Sequence, residues 1–247
     1  MRGSPTSFGN PMAREPTKRP RLADRDYEIF EHVMRHRITV REALHRLFFE
    51  GSDPNAVTKV TSRLVRHQYL NRYELYAPRS YFVVGPEGAK LLGISVNKTE
   101  SLGPRALARE YGILAYCCLG PVVRKRLMVR EIRERDPEFL QGKLDSGHYY
   151  LDEDGETTRL GYIRVDQGGS PENVVRKCRE DLDQRYRYPR LRKLIDEGRF
   201  LIALVTAREE KKQAIHEALR QHRWPIRFRI EVVSDLLHLI TRFDSVL

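Results

Sequence analysis

Between Pro54 and Tyr69 the chain carries Lys59, Arg63, Arg66 and His67 and no acid, although the whole sequence holds 34 Asp and Glu. Val57, Val60, Thr61 and Leu64 recur at steps of three and four, the spacing of one buried helical stripe. The opposite face then presents Asn55, Lys59, Ser62, Arg63, Arg66 and His67. Cations and hydroxyls with no acid among them can approach a polyanion without internal repulsion, so the chemistry this face suggests is phosphate contact. Asn55 and Thr58 lie toward the helix N-terminus, where a recognition helix reads base edges; Lys59, Ser62, Arg63 and Arg66 follow as backbone contacts. The competing reading is a solvated face, or one that serves protein contacts.

The elements around this segment are punctuated. Gly51 turns the chain, Asp53 is placed to cap, and Pro54 takes the first helical position. Upstream, "LADRDYEIFEHVMRHR" predicts a first helix capped by Asp24. "ITVREALHRLFF" predicts a short second helix with Thr39 and Glu42 as a capping box. Downstream, "QYLNRYELY" and "SYFVVGPEG" read as two strands joined by "APRS". Three small helices followed by a hairpin predict a winged helix-turn-helix over 22–93, its third helix in the major groove and Arg79 at the wing tip reaching a minor groove or phosphate.

The totals agree with an acidic partner. The sequence has 247 residues, enough for two domains, and 45 Lys and Arg against its 34 acids leave a net charge of +11. Its three cysteines, two of them adjacent at Cys117 and Cys118, form no disulfide framework. No CxxC pair or histidine group is read as a zinc site. A reducing cytoplasm is expected, and neither a membrane span nor a secretory signal is read. Residues 1–21, rich in Pro and Gly with Lys18, Arg19 and Arg21 at the end, read as a flexible basic arm. Residues 94–106 read as a linker.

From 107 to 247 the pattern changes. "LAREYGILAYCCL" and "VRKRLMVREIRER" read as helices, "GHYYLDED" and "TTRLGYIRVDQG" as a hairpin, and "SPENVVRKCREDLDQRY" as a helix capped by Ser170. "RFLIALVT", "REEKKQAIHEALRQ" and "IRFRIEVVS" add strand, helix and strand before a short closing helix. A meander followed by strand, helix and strand predicts an α/β domain with a mixed sheet. "DQRYRYPRLRK" interleaves arginines, Arg185 and Arg187 among them, with Tyr186 and Tyr188, a pattern that tracks a nucleic-acid backbone or packs as an ordinary helix end. Cys117 and Cys118 read as core residues, and Gly168 and Gly169 as a turn.

The order of "YFVVGPEGAKLLG", "ALAREYGILAYCCL" and "YIRVDQGGSPENVVRKCREDL" resembles the replication-relaxation proteins of bacterial plasmids and other mobile elements, across Leu22 to Leu247. The resemblance implies a winged helix joined to a restriction-endonuclease-like domain, and a role in plasmid replication control or transcription. It also places Asp145 at the first acid of a nuclease pattern, Arg164 and Asp166 at an acid-x-acid pair, and Lys177 at the lysine beyond. Arg164 departs from that pattern. A guanidinium projecting beside Asp166 is expected to pair with it and compete with a divalent ion, so a nuclease-like scaffold without efficient cleavage is expected. The alternative is a Mg2+ or Mn2+-dependent nuclease or nickase using Asp145, Asp166 and Lys177. Asp152, Glu153 and Asp154 read as a solvated turn.

The expected partner is double-stranded DNA. A homodimer on paired half-sites is compatible with this reading, although no heptad marks an interface, and a third reading makes the second domain an adaptor for a replication or transposition protein.

Overall fold

Ile29, Phe30 and Val33 are fully buried along one face of α1 (Asp24–His36), the first element of the computed structural model, which describes residues 21–135, 146–154 and 157–244. The proposed arm lies outside the described residues apart from Arg21. Ala23, not Asp24, precedes the helix; Asp26 at the third helical position accepts the Ala23 N–H at 2.9 Å. The capping box predicted for the second helix does not form either. Thr39 is buried in β1 (Thr39–Val40), which pairs antiparallel with β3 (Arg79–Val84), and α2 (Arg41–Phe48) starts after it. Backbone pairing with β3 keeps Thr39 extended, and its hydroxyl lies 2.9 Å from His32 Nε2 instead. Glu42 pairs across with Arg79 at 2.9 Å.

The third helix, α3 (Pro54–Arg66), starts as the sequence indicates, with Asp53 accepting the Asn55 N–H at 2.6 Å and Pro54 in the first turn. Val57, Thr61 and Leu64 are buried, and the Thr61 hydroxyl donates to the Val57 carbonyl at 2.8 Å. β2 (Leu70–Tyr76) and β3 form the hairpin, joined through a cis Ala77–Pro78 bond, and the small sheet runs β1-β3-β2. α4 (Pro86–Leu92) then packs tightly on residues 68–70, where a side chain at Gly85 or Gly88 would collide with the Gln68 or Tyr69 carbonyl.

Residues 94–106 are docked on this unit. Asn71 and Tyr73 donate to the Thr99 carbonyl at 2.9 and 3.1 Å, and the Tyr81 hydroxyl accepts the Leu102 N–H at 3.0 Å. α5 (Pro104–Leu114) follows and runs into a π-helical turn, Ala115–Leu119. The segment "VRKR", predicted as helix, is instead an edge strand, β4 (Lys125–Arg126), and the helix α6 (Val129–Arg135) begins later. Pairing of Lys125 and Arg126 with Leu151 and Tyr150 overrides the local helical periodicity.

The second sheet is built from β4, β5 (Tyr149–Asp154), β6 (Thr157–Val165), β7 (Phe200–Thr206) and β8 (Arg227–Val232), in that spatial order. β4, β5 and β6 are antiparallel neighbours, whereas β6, β7 and β8 are parallel. The crossovers are α7 (Pro171–Tyr186) with α8 (Pro189–Asp196), then α9 (Glu209–Arg220); α10 (Leu236–Asp244) closes the described chain. The expected mixed sheet with helices on its faces is therefore present. Every residue of β7 is buried, as a parallel strand covered on both faces requires. Alternation sends Phe200, Ile202 and Leu204 toward α7, α8 and α9, and Leu201, Ala203 and Val205 toward α5 and α10. That second core also takes in Ile38, Val40, Leu75, Tyr81 and Val83, so the small sheet and the large sheet share apolar packing. Among the described residues no helix is long and apolar enough to cross a membrane.

Candidate nucleic-acid interface

With Val57, Thr61 and Leu64 turned inward, α3 leaves Asn55, Lys59, Ser62 and Arg66 exposed at spacings of four, three and four, one continuous stripe. Among the described residues none of these side chains is held by an acid. Arg63 sits at the edge of this stripe and is partly committed. Its guanidinium binds the buried Asp26 carboxylate at 2.6 Å and the Arg21 carbonyl at 3.4 Å, tying α3 to the start of α1. Thr58 is half-buried and accepts a hydrogen bond from the exposed Arg41 of α2.

A groove of about 530 Å³ runs beside the N-terminal half of α3, lined by Arg41, His45, Pro54, Arg72 and Ser80, with one carboxylate, Glu42, which is paired with Arg79. Arg41 and Arg72 are exposed on its two sides, and Arg72 is steadied by the Ser80 hydroxyl at 3.0 Å. Sequence reasoning missed both. Arg72 alternates outward on a strand, which period two would have signalled; Arg41 reaches the groove only because β1 shifts the start of α2.

Arg79 does not extend from a wing tip. Its guanidinium turns inward to Glu42, to the Tyr76 hydroxyl at 2.5 Å, and to Asp235 before α10. Asp235 also accepts from Tyr111 at 2.7 Å. Burial alone would raise the Asp235 carboxyl, but hydrogen bonds from Tyr111 and Arg79 outweigh it and hold it below the ordinary carboxylate range. Three neighbouring partners leave Arg79 little capacity for a phosphate.

At the carboxyl end of β6 the structure brings Asp166 and Lys177 to one cavity of about 540 Å³, whose charged lining also includes Arg105, Arg109 and Arg164. Asp145 lies outside the described residues. Asp166 is the one carboxylate among the described lining residues; burial pushes it above its usual range, with Lys211, the Gly168 N–H and Lys177 opposing. The predicted Arg164–Asp166 pairing does not form. Arg164 binds Asp181 of α7, with Nε at 2.7 Å, because that helix packs over the strand face from which Arg164 projects. The surplus of guanidinium and ammonium groups suits an anion; outward-facing Arg105 on α5 joins it without any signal in the local sequence pattern.

Two further readings are corrected. Asp152 is buried rather than part of a solvated turn, bound by Arg229 at 2.9 Å with Arg124 at 3.9 Å; Glu153 is exposed. Arg185, expected on a nucleic-acid surface, is 1% exposed. It lies 3.6 Å above the Tyr162 ring centre and donates to the Asp181 carbonyl at 2.8 Å. Helical spacing puts it on the same face as Asp181, and that face packs on β6. Arg187 is exposed beside Arg179, Arg192, Arg223, Tyr186 and Trp224, which together line an open cleft.

Cys117 is buried, and that burial pushes its thiol up to about 12, as expected of a core residue. Cys118 is buried as well but meets His32 and His36, a grouping that sequence spacing does not signal. No protein-family model matches the chain, and no curated protein is significantly similar to it.

Proposed function

We propose that residues 22–93 are a winged helix that binds double-stranded DNA, with α3 in the major groove and the Arg41–Arg72 groove against the flanking backbone. The observation that carries this reading is the acid-free stripe Asn55, Lys59, Ser62 and Arg66, exposed along the full length of α3. The element order α1-β1-α2-α3-β2-β3 and the sheet order β1-β3-β2 support it, since they set α3 beside a two-stranded ribbon. Lys59 and Arg66 neutralise phosphates and release counterions; Asn55 and Ser62 reach base edges. On the family resemblance, the process served is replication control or transcription on a plasmid or other mobile element.

The 107–247 half is, on the same reading, a restriction-endonuclease-like scaffold that contacts DNA without cutting it efficiently. The cation-rich lining around Asp166 and Lys177 supports phosphate binding there. Duplex titration with Lys59→Glu/Arg66→Glu tests the first part: affinity falls and the salt slope drops by about 0.9 for each phosphate that is no longer neutralised. Unchanged affinity and slope would refute it. Cleavage of supercoiled DNA with Mg2+ or Mn2+, abolished by Asp166→Ala, would refute the second part.

A further inference from the structure

His32 and His36 stand one turn apart at the C-terminal end of α1, so both imidazoles leave the same helix face, with ring centres 4.8 Å apart. Cys118 faces them from the π-helical turn after α5. Such turns insert an extra residue into a helix, re-aiming side chains, and occur often at functional sites. One ligand atom from each of the three residues lies within 4.8 Å of the others, and all three residues are buried. His36 Nε2 is 3.5 Å from Cys118 Sγ.

The hydrogen bonds of the two imidazoles decide which ring nitrogens could serve as ligands. His36 is 2% exposed, and its Nδ1 is buried without a hydrogen-bond partner. Nε2 is the nitrogen that faces Cys118, so it is the one that would ligate an ion, and Nδ1 would then carry the proton. His32, by contrast, has its Nε2 against the Thr39 hydroxyl at 2.9 Å. In the tautomer that donates from Nε2, its Nδ1 keeps a lone pair, the second-sphere arrangement that orients metal-binding histidines.

Most of the surrounding positive charge is matched. Arg35 is bound by Glu131 at 2.7 Å and Glu31 at 3.1 Å, Arg126 by Glu110 at 2.9 Å, and Arg124 by Glu231 at 2.5 Å, whereas Arg46 is held by the Gly120 and Pro121 carbonyls and favours the Cys118 thiolate. A cavity of about 460 Å³, lined by His32, His36 and Cys118, with Asp152 and Glu153 set against Arg35, Arg124 and Lys125, leaves room for a water ligand. Two imidazoles and a thiolate favour a borderline-soft ion over Mg2+ or Ca2+. Tetrahedral zinc, with bonds of about 2.0–2.3 Å, spaces its ligand atoms by roughly 3.3–3.7 Å. The His36–Cys118 pair meets that spacing already, and the third ligand needs to close by about 1.5 Å at most.

We propose that His32, His36 and Cys118 bind a Zn2+ ion, with water as fourth ligand, and that the ion joins α1 to the turn after α5. This site is separate from the stripe on α3, and its fate does not depend on the DNA reading. Binding removes the Cys118 proton and contributes directly to the stability of the folded chain.

Full-length protein stripped with chelator and titrated with Co2+ tests the site. One equivalent is expected to give tetrahedral d–d bands and a thiolate-to-cobalt charge-transfer band, all displaced by Zn2+. Cys118→Ser is expected to lose the charge-transfer band, whereas Cys117→Ser and Cys178→Ser keep it. Absence of that band from the wild-type protein would overturn the proposal whatever the variants do, as would a band that survives in Cys118→Ser. His32→Gln, retaining bulk, provides a second check: cobalt affinity is expected to fall at least roughly 10-fold, and unchanged affinity would remove His32 from the ligand set.

Discussion

Arg79, at the start of β3, binds Asp235, which stands 156 positions later in the chain at the head of α10. The contact joins the hairpin of the small sheet to the far end of the large-sheet half. Arg79→Ala and Asp235→Ala are each expected to destabilise the fold by about 1 kcal/mol, and the double variant by less than their sum, because the pair is half-exposed and screened. Additive losses in a denaturation cycle would mean that the two residues act independently. Duplex affinity of Arg79→Ala is expected to keep its wild-type salt slope, since this guanidinium is committed within the protein.

Arg41 and Arg72 stand on opposite sides of the groove beside α3 and make a different prediction. Replacing either with Ala removes a cation from the proposed DNA face without opening the core, as both are exposed. Each substitution is expected to weaken duplex binding for all sequences and lower the magnitude of the salt slope by about 0.9. Asn55→Ala is expected to alter preference between sites with little change in slope. Binding isotherms at several salt concentrations separate the two effects, and an Arg72→Ala slope equal to wild type would take the hairpin out of the interface.

The contrast among these arginines marks where the sequence is legible. The α3 stripe follows from periodicity because capping by Asp53 and burial of Val57 and Leu64 are local matters. The mixed sheet is readable for the same reason, from the apolar run of β7 and the turn glycines, with Gly168 and Gly169 both at positive φ. What depends on distant partners is not. Arg79, Arg164 and Arg185 look exposed or paired with near neighbours in the local pattern, yet their partners are Asp235, Asp181 and the tyrosines of β5 and β6. The meeting of His32, His36 and Cys118 joins α1 to the turn after α5, with His36 and Cys118 82 positions apart in the chain, a distance no local pattern spans.

Arg185 and Arg187 differ by two positions and by everything that surrounds them. Arg185 is buried with its guanidinium between Tyr162 and Tyr149 and against Asp181. Arg185→Ala leaves Asp181 without one of its two guanidinium partners and opens a cavity over the aromatic pair, so a loss of about 3–5 kcal/mol is expected. Arg187→Ala changes a solvated side chain and is expected to stay within about 0.5 kcal/mol of wild type. Urea unfolding of both variants checks the pair of values. Equal stability would mean that Arg185 is not the buried partner of α7 and β6.

Glu131 gives the acid limb of stability a specific source. Burial alone would raise its carboxyl, but the Arg35 guanidinium at 2.7 and 3.0 Å and the Met128 N–H at 2.8 Å hold it at about 2, against an ordinary 4.5. A carboxyl depressed on folding stabilises fully above its unfolded value and loses that contribution as pH falls toward the folded one. The unfolding free energy of wild type over Glu131→Gln is therefore expected to be flat above about pH 5, at about 1–2 kcal/mol after solvent screening, and to shrink between about pH 4.5 and 2. Urea unfolding across that range, in buffers of equal ionic strength, reads the difference directly. A gap that stays constant or widens on acidification would show that the Arg35–Glu131 pair between α1 and α6 contributes no charge-dependent stability.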